Sequence, residues 1–245
     1  MSPVAYHHHQ WCRLPYQGRG RQFSLLLVLA CNTFCRVLWC SQLPGMVVPR
    51  HLETTCRWAS SLVEGLLSML KEHNVWEVTN CPIDRKIIKN HWVFDVKTDG
   101  QKKAHLVAKG FSQVEGIDYD QIFSPVVRFE TVQCMFALTA LEGWHISGLN
   151  VQSAYLYGKL DEELYMEFPE GFLPPNMKGK VLRLLHAIYS LKQAGLAWWR
   201  TLDKSMQELG FERLKSDAGL FVYKRGNDIV LAIIYIDDTL FCGPS

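Results

Sequence analysis

Leu231-Ala-Ile-Ile-Tyr-Ile-Asp-Asp-Thr-Leu-Phe-Cys242 sets two adjacent carboxylates between two apolar runs. Apolar runs on either side of a two-residue polar break predict a β-hairpin with Asp237 and Asp238 at its tip. A buried strand that leads into paired carboxylates needs a reason, because unpaired buried charge is costly and a cation is the usual remedy. Two side-by-side carboxylates suit hard divalent metals, which take oxygen ligands. An ordinary hairpin turn also accepts Asp for its local hydrogen bonding. The stretch alone leaves both readings open.

Motifs further out narrow the choice. Tyr235-Ile-Asp-Asp238 resembles the Tyr-x-Asp-Asp box of reverse transcriptases. Leu106-Val-Ala-Lys-Gly-Phe-Ser-Gln-Val-Glu-Gly-Ile-Asp-Tyr-Asp120 and Phe123-Ser-Pro-Val-Val127 resemble the fingers region of copia-type retrotransposon polymerases. Leu160-Asp-Glu-Glu-Leu-Tyr-Met166, Pro169-Glu-Gly-Phe172, Leu191-Lys-Gln-Ala194 and Lys215-Ser-Asp217 follow in that family's order. The resemblance covers roughly residues 74–243 and its motifs are specific. It implies an α+β fold: a palm of antiparallel sheet backed by helices, over about residues 144–245, and a fingers subdomain over about 74–143. The chain stops at Ser245, just past the hairpin, so the thumb is expected to be absent.

The resemblance also implies a chemistry. Deoxynucleoside triphosphates would be added to a DNA primer on an RNA template, with two Mg2+ (or Mn2+) ions. Asp237 would be the principal metal ligand and Asp238 its helper, and Val151 would offer a backbone carbonyl. Where the family reads Asp-Val-x-x-Ala-Phe/Tyr, this chain reads Asn150-Val-Gln-Ser-Ala-Tyr155. Two-metal phosphoryl transfer needs anionic oxygens to hold both ions. An amide keeps the carboxylate shape, loses the charge and adds an NH2 donor. Mg2+ sheds water reluctantly, so a neutral ligand weakens the site. The expected catalytic loss is at least about a hundredfold, by analogy with removing a transition-state electrostatic group.

Four more residues belong to the implied nucleotide site. Lys102 and Lys103 would meet the triphosphate, with a solvated strand edge as the plainer reading. His105 stands where the family usually shows arginine, and a neutral His holds phosphate less well than a bidentate Arg. Tyr155 would lie under the sugar, or else serve as a core aromatic. Gln193 would hydrogen-bond substrate, or else be a polar residue at a helix start. The chain departs from the family again at Ser190, Gly195-Leu196 and Ala218-Gly219.

Composition sets outer bounds. The 245 residues are 48% hydrophobic and 20% charged, which is globular. A net charge of +2 and a pI of about 8.1 give no strong pull towards nucleic acid, so bulk charge does not decide. Eight cysteines form no C-x-x-C pair, as expected for a reduced protein of the cytoplasm or nucleus. No apolar run reaches membrane-spanning length. Residues 1–57 match nothing in the family. His7-His8-His9 with Cys12 imitates a metal cluster, and Arg19-Gly-Arg21 before the apolar run 23–30 imitates a signal peptide. Flanking, poorly ordered sequence is the simpler account.

Periodicity places the other elements. Residues 60–73 predict an amphipathic helix through Leu62, Leu66, Leu67, Met69 and Leu70. Residues 76–78, 92–96 and 104–108 predict strands, with Asp99-Gly100 as a hairpin signal. Residues 129–141 predict a helix whose Val132, Met135, Phe136, Leu138 and Leu141 pack behind the sheet. Lys109-Gly-Phe111 should use Gly for a bend and Phe for packing. Asp161-Glu-Glu163 should be a solvated helix start or loop. A helix from about Leu191 should end at Gly210, with Trp198 and Trp199 in the core. Strands at 221–223 and 229–235 should meet across Arg225-Gly-Asn-Asp228. Three functions fit this pattern: an RNA-directed DNA polymerase domain, a catalytically dead remnant of one, and a nucleic-acid-binding module using Lys102, Lys103, Lys109 and Lys192.

Overall fold

The computed structural model describes residues 50–244, Pro175 and Asn227 apart, with side chains from Ala59 onward. The histidine run, Cys12 and the apolar run 23–30 lie outside the described residues. The chain divides into two units, Met1–Cys56 and Arg57–Ser245, and every described strand belongs to the second.

Helix α1 (Arg50–Glu72) begins upstream of the expected residue 60. Its apolar residues recur at helical spacing: Val63 and Leu70 are buried, and Leu66, Leu67 and Met69 pack on the same core. Asn74 in the left-handed region (φ 49°) ends the helix and turns the chain into β1 (Trp76–Asn80). Next come β2 (Ile87–Ile88) and the hairpin of β3 (Asn90–Val96) with β4 (Lys102–Ala108), closed at Gly100 (φ 83°) as Asp99-Gly100 predicts. Helix α2 (Phe129–Glu142) leads to β5 (His145–Asn150), a 3-10 turn over Ala154–Tyr157, β6 (Lys159–Met166) and β7 (Lys180–His186). Helix α3 (Ala194–Glu208) precedes β8 (Glu212–Arg213), β9 (Leu220–Arg225), β10 (Asp228–Tyr235) and β11 (Asp238–Gly243).

The architecture is mixed α+β. An antiparallel sheet in the order β5-β11-β10-β9-β8 carries the Asp237 hairpin. Alternation along β10 splits its side chains between two cores. Ala232 and Ile234 join Trp199, Met206 and Phe221 under α3, while Ile233 joins Val127, Met135 and Cys242 under α2. The second sheet, β1-β7-β6-β2, buries Ile88, Leu164, Met166, Leu182 and Leu184 against Val63 and Leu70 of α1. Its strands come from both sides of residue 144, so the expected fingers and palm spans interleave in this sheet.

Several expectations are corrected. Asp161–Glu163 lie within strand β6, not in a helix start or loop. Asp161 and Glu163 meet exposed ion-pair partners, such as Arg200 to Asp161 at 2.5 Å, of the kind that adds little stability. Of the apolar set on α2, Val132 and Met135 pack on the sheet, but Phe136, Leu138 and Leu141 are exposed. The packed stripe is the narrow 132–135–139 row, and the other three fall outside its arc. Phe111 is exposed, and Gly110 serves a close approach to the Ser190 carbonyl more than a bend.

Gly158 shows how tightly α3 is seated beside the hairpin. A Cβ there would lie 2.6 Å from the Trp198 amide nitrogen and 2.7 Å from the Ala197 carbonyl carbon, both backbone atoms. Gly158→Ala should therefore lower stability by about 1–3 kcal/mol through overpacking, seen as an earlier urea midpoint with an unchanged slope.

Candidate active site

The hairpin tip is assembled by register. Tyr235 pairs with Asp238, which leaves Ile236-Asp237 as a two-residue turn. Ile236 adopts φ 61°, a conformation that glycine usually supplies in such turns and that is strained for a β-branched residue. Two contacts hold it there. The Val151 N–H donates to the Asp237 carbonyl at 2.8 Å, and the Trp198 indole Nε1–H donates to the Ile236 carbonyl at 2.8 Å. On the other side β11 pairs with β5 so that Asp238 stands opposite Asn150. Across that pair the Asn150 Nδ2 donates to Asp238 Oδ1 at 2.7 Å. Asp237 is half-buried, whereas Asp238 and Asn150 are exposed, Asn150 at the end of the edge strand β5, whose six residues are all exposed.

This bond defines the donor chemistry of the tip. A charge-assisted hydrogen bond already engages one oxygen of Asp238. Beside it Asn150 turns a neutral amide N–H towards Asp238, where a shared cation would call for an anionic oxygen. Among the described residues no group of three or more His, Cys, Asp or Glu side chains gathers around a point. The residues present do not fit a pair of divalent cations.

A row of aromatic rings approaches the tip. Tyr155 meets Tyr189 edge-on at 5.3 Å, and Tyr189 meets His105 edge-on at 4.5 Å. Burial pushes both phenols above their usual pKa, and the charge of Asp237 adds to the effect on each; a hydrogen bond with Ser153 opposes it at Tyr189. Burial, and then the neighbouring Lys103 charge, lower the His105 pKa against the pull of Asp95. The ring is held neutral where the resemblance leads one to expect arginine. Lys103 lies two residues from His105 on β4 and shares its face, while Lys102 lies on the opposite face. Both lysines are exposed.

Gln193 is placed elsewhere. It is buried, its Oε1 accepts from Gln113 Nε2 at 3.0 Å, and its Nε2 donates to the Asp118 carbonyl at 2.8 Å. Gln113 also accepts from the Lys192 amide at 2.9 Å. The amide of Gln193 thus straps the 113–118 loop to the start of α3, and its groups are spent within the protein. The geometry brings Asp237, Asp238, Asn150 and Val151 together, with Tyr155 near Asp237 and Lys103 beside His105 at the far end of the aromatic row, and it commits the Gln193 amide to bonds within the protein.

Two residues at the tip escaped the sequence reading. Trp198 reads from spacing as core, which it is, but its N–H reaches a carbonyl 38 residues away. Tyr189 links His105 to Tyr155 and has no motif beyond its neighbourhood. Neither partner is visible in local periodicity.

Residues 73–245 match the family described as reverse transcriptase (RNA-dependent DNA polymerase). The chain is 35% identical over 184 residues, 72% of its length, to the retrovirus-related Pol polyprotein from transposon TNT 1-94 of Nicotiana tabacum. It is 35% identical over 192 residues, 76% of its length, to the Pol polyprotein from transposon RE2 of Arabidopsis thaliana. Against the transposon Ty1-ER2 Gag-Pol polyprotein of Saccharomyces cerevisiae the identity is 28% over 162 residues, 64% of this chain and 8% of that protein. The chain spans 14% and 13% of the lengths of the two plant relatives. With the Tyr235–Asp238 hairpin in place, the match over residues 73–245 means that the chain belongs to the reverse transcriptase family, with copia-type Pol polyproteins as its relatives.

Proposed function

We propose that this chain is a reverse transcriptase domain whose nucleotidyl transfer is impaired at Asn150. The family acts on a nucleic-acid template and primer with deoxynucleoside triphosphates, and uses divalent metal ions. In this reading the β9–β11 sheet is the palm, and the β3–β4 hairpin with part of the β1-β7-β6-β2 sheet forms the fingers. RNA template and DNA primer lie along them, and Lys103 and Tyr155 face the incoming nucleotide. The observation that carries the impairment is the hydrogen bond from Asn150 Nδ2 to Asp238 Oδ1. A carboxylate at residue 150 would require a counter-ion beside Asp238, whereas the amide supplies its own donor and requires none. The neutral His105 adds to the same reading, since it offers the triphosphate no fixed charge.

Primer extension on an RNA template with Mg2+ or Mn2+ tests the proposal, with the natural chain beside Asn150→Asp. Extension by the variant and not by the natural chain is expected. Equal extension by both would remove Asn150 as the lesion. Salt-sensitive binding of primer–template without extension by either chain would favour a nucleic-acid-binding module.

A further inference from the structure

We infer that Trp198 is a positioning residue for the hairpin tip: its indole N–H holds Ile236 in the left-handed conformation that sets the direction of Asp237. Ile236 is β-branched and sits at φ 61°. A left-handed backbone is unfavourable for any residue with a Cβ, and most so for a branched one, so the turn relaxes unless its surroundings hold it. Of the two contacts that do so, the Val151 amide is main chain and comes with the β5 register. The Trp198 bond is different, because it comes from a side chain on another layer, at 2.8 Å.

That side chain is itself fixed. Trp198 is 6% exposed. Its ring tilts against Tyr157 at 6.1 Å, and its backbone is wedged against Gly158. An indole carries one donor, and here it reaches the turn carbonyl. A tryptophan serving the core alone needs the ring and not a bond to that atom. Ile236 and Asp237 share a peptide unit, so holding the Ile236 carbonyl fixes the plane from which the Asp237 side chain departs.

The consequence for chemistry rests on the proposed function, but the effect on the turn does not. Amide hydrogen exchange at Val151 reports the turn directly, since that N–H bonds the Asp237 carbonyl. Trp198→Phe keeps a ring and deletes the donor. It should speed Val151 exchange about fivefold to tenfold, the scale of one lost hydrogen bond, with amides in β9 unchanged. In an Ile236→Gly background, where the left-handed conformation carries no penalty, the same substitution should change Val151 exchange by less than about twofold. Unchanged protection in Trp198→Phe, or an equal loss in both backgrounds, overturns the inference.

If Trp198→Phe instead loosens the whole sheet, the natural chain decides. Its Trp198 indole N–H should exchange as slowly as the Val151 amide, and an indole that exchanges far faster refutes the bond. In Asn150→Asp, adding Trp198→Phe should lower kcat for primer extension with little change in the KM for deoxynucleotide. A chain that carries Asn150→Asp and extends nothing counts against the proposed function, while the exchange results still stand or fall alone.

Discussion

Asn150→Asp is expected to raise primer extension by at least about a hundredfold over the natural chain, the scale on which transition-state electrostatic groups act. In the natural chain the amide donor and Asp238 form a pair that is satisfied without any ion. Replacing the amide by a carboxylate turns that pair into two like charges facing each other across β5 and β11. Like charges directly opposite on a sheet are destabilising. The variant should therefore be slightly less stable than the natural chain in a chelator and should regain that stability when Mg2+ is added. The natural chain should show neither response. The single change exchanges self-sufficiency for demand at one site, and extension and metal-dependent melting report it separately.

Asp217→Ala is expected to cost about 3 kcal/mol of stability, or roughly 6–12 °C in Tm. Lys215-Ser-Asp217 is one of the motifs that carry the family resemblance, and the fold explains its aspartate. The buried carboxylate accepts from the Arg128 amide at 3.0 Å and the Thr131 hydroxyl at 2.5 Å, at the start of α2, and from the Gly219 amide at 2.9 Å. It caps a helix far away in sequence and pins the loop before β9 at the same time. Truncation leaves the buried Gly219 amide and the two part-buried donors of Arg128 and Thr131 without their acceptor.

Burial alone would raise the pKa of Asp217, but the three hydrogen bonds outweigh it and hold the carboxyl below the usual aspartate value. A depressed pKa stabilises the fold at all pH above the unfolded value of about 3.9, and that stabilisation is lost as pH falls through the folded value. The natural chain should lose stability below about pH 4 more steeply than Asp217→Asn, which has no proton to bind there. Urea melts at pH 3 and pH 6 compare the two.

The β10–β11 hairpin was legible in the sequence because apolar runs flank Asp237-Asp238, although its turn residues are Ile236 and Asp237 and Asp238 already begins β11. The β9–β10 turn was legible from Gly226 after Arg225. The β3–β4 hairpin and the end of α3 at Gly210 (φ 85°) were legible for the same reason. Strand β6 was not, because Asp161-Glu-Glu163 places charge along a strand that buries its far end, Leu164–Met166. Strands β2 and β7 lack clean alternation and are defined by their pairing with β6.

At the site, residue identity pointed to Asn150 as the departure from the family. It could not show that the amide donates to Asp238, which is 88 residues away. Nor could it show that Gln193 is consumed by Gln113 and Asp118, or that Trp198 reaches Ile236. These depend on which layers meet, and periodicity carries no record of that.

Mn2+ titration followed by electron paramagnetic resonance reads the hairpin tip without requiring primer, template or turnover. The natural chain should show no saturable Mn2+ binding in the range where Asn150→Asp binds, a difference in affinity of at least about a hundredfold for one anionic ligand gained and one internal donor removed. Binding of Mn2+ by the natural chain as tightly as by Asn150→Asp would make Asn150 a competent member of the site and not its lesion.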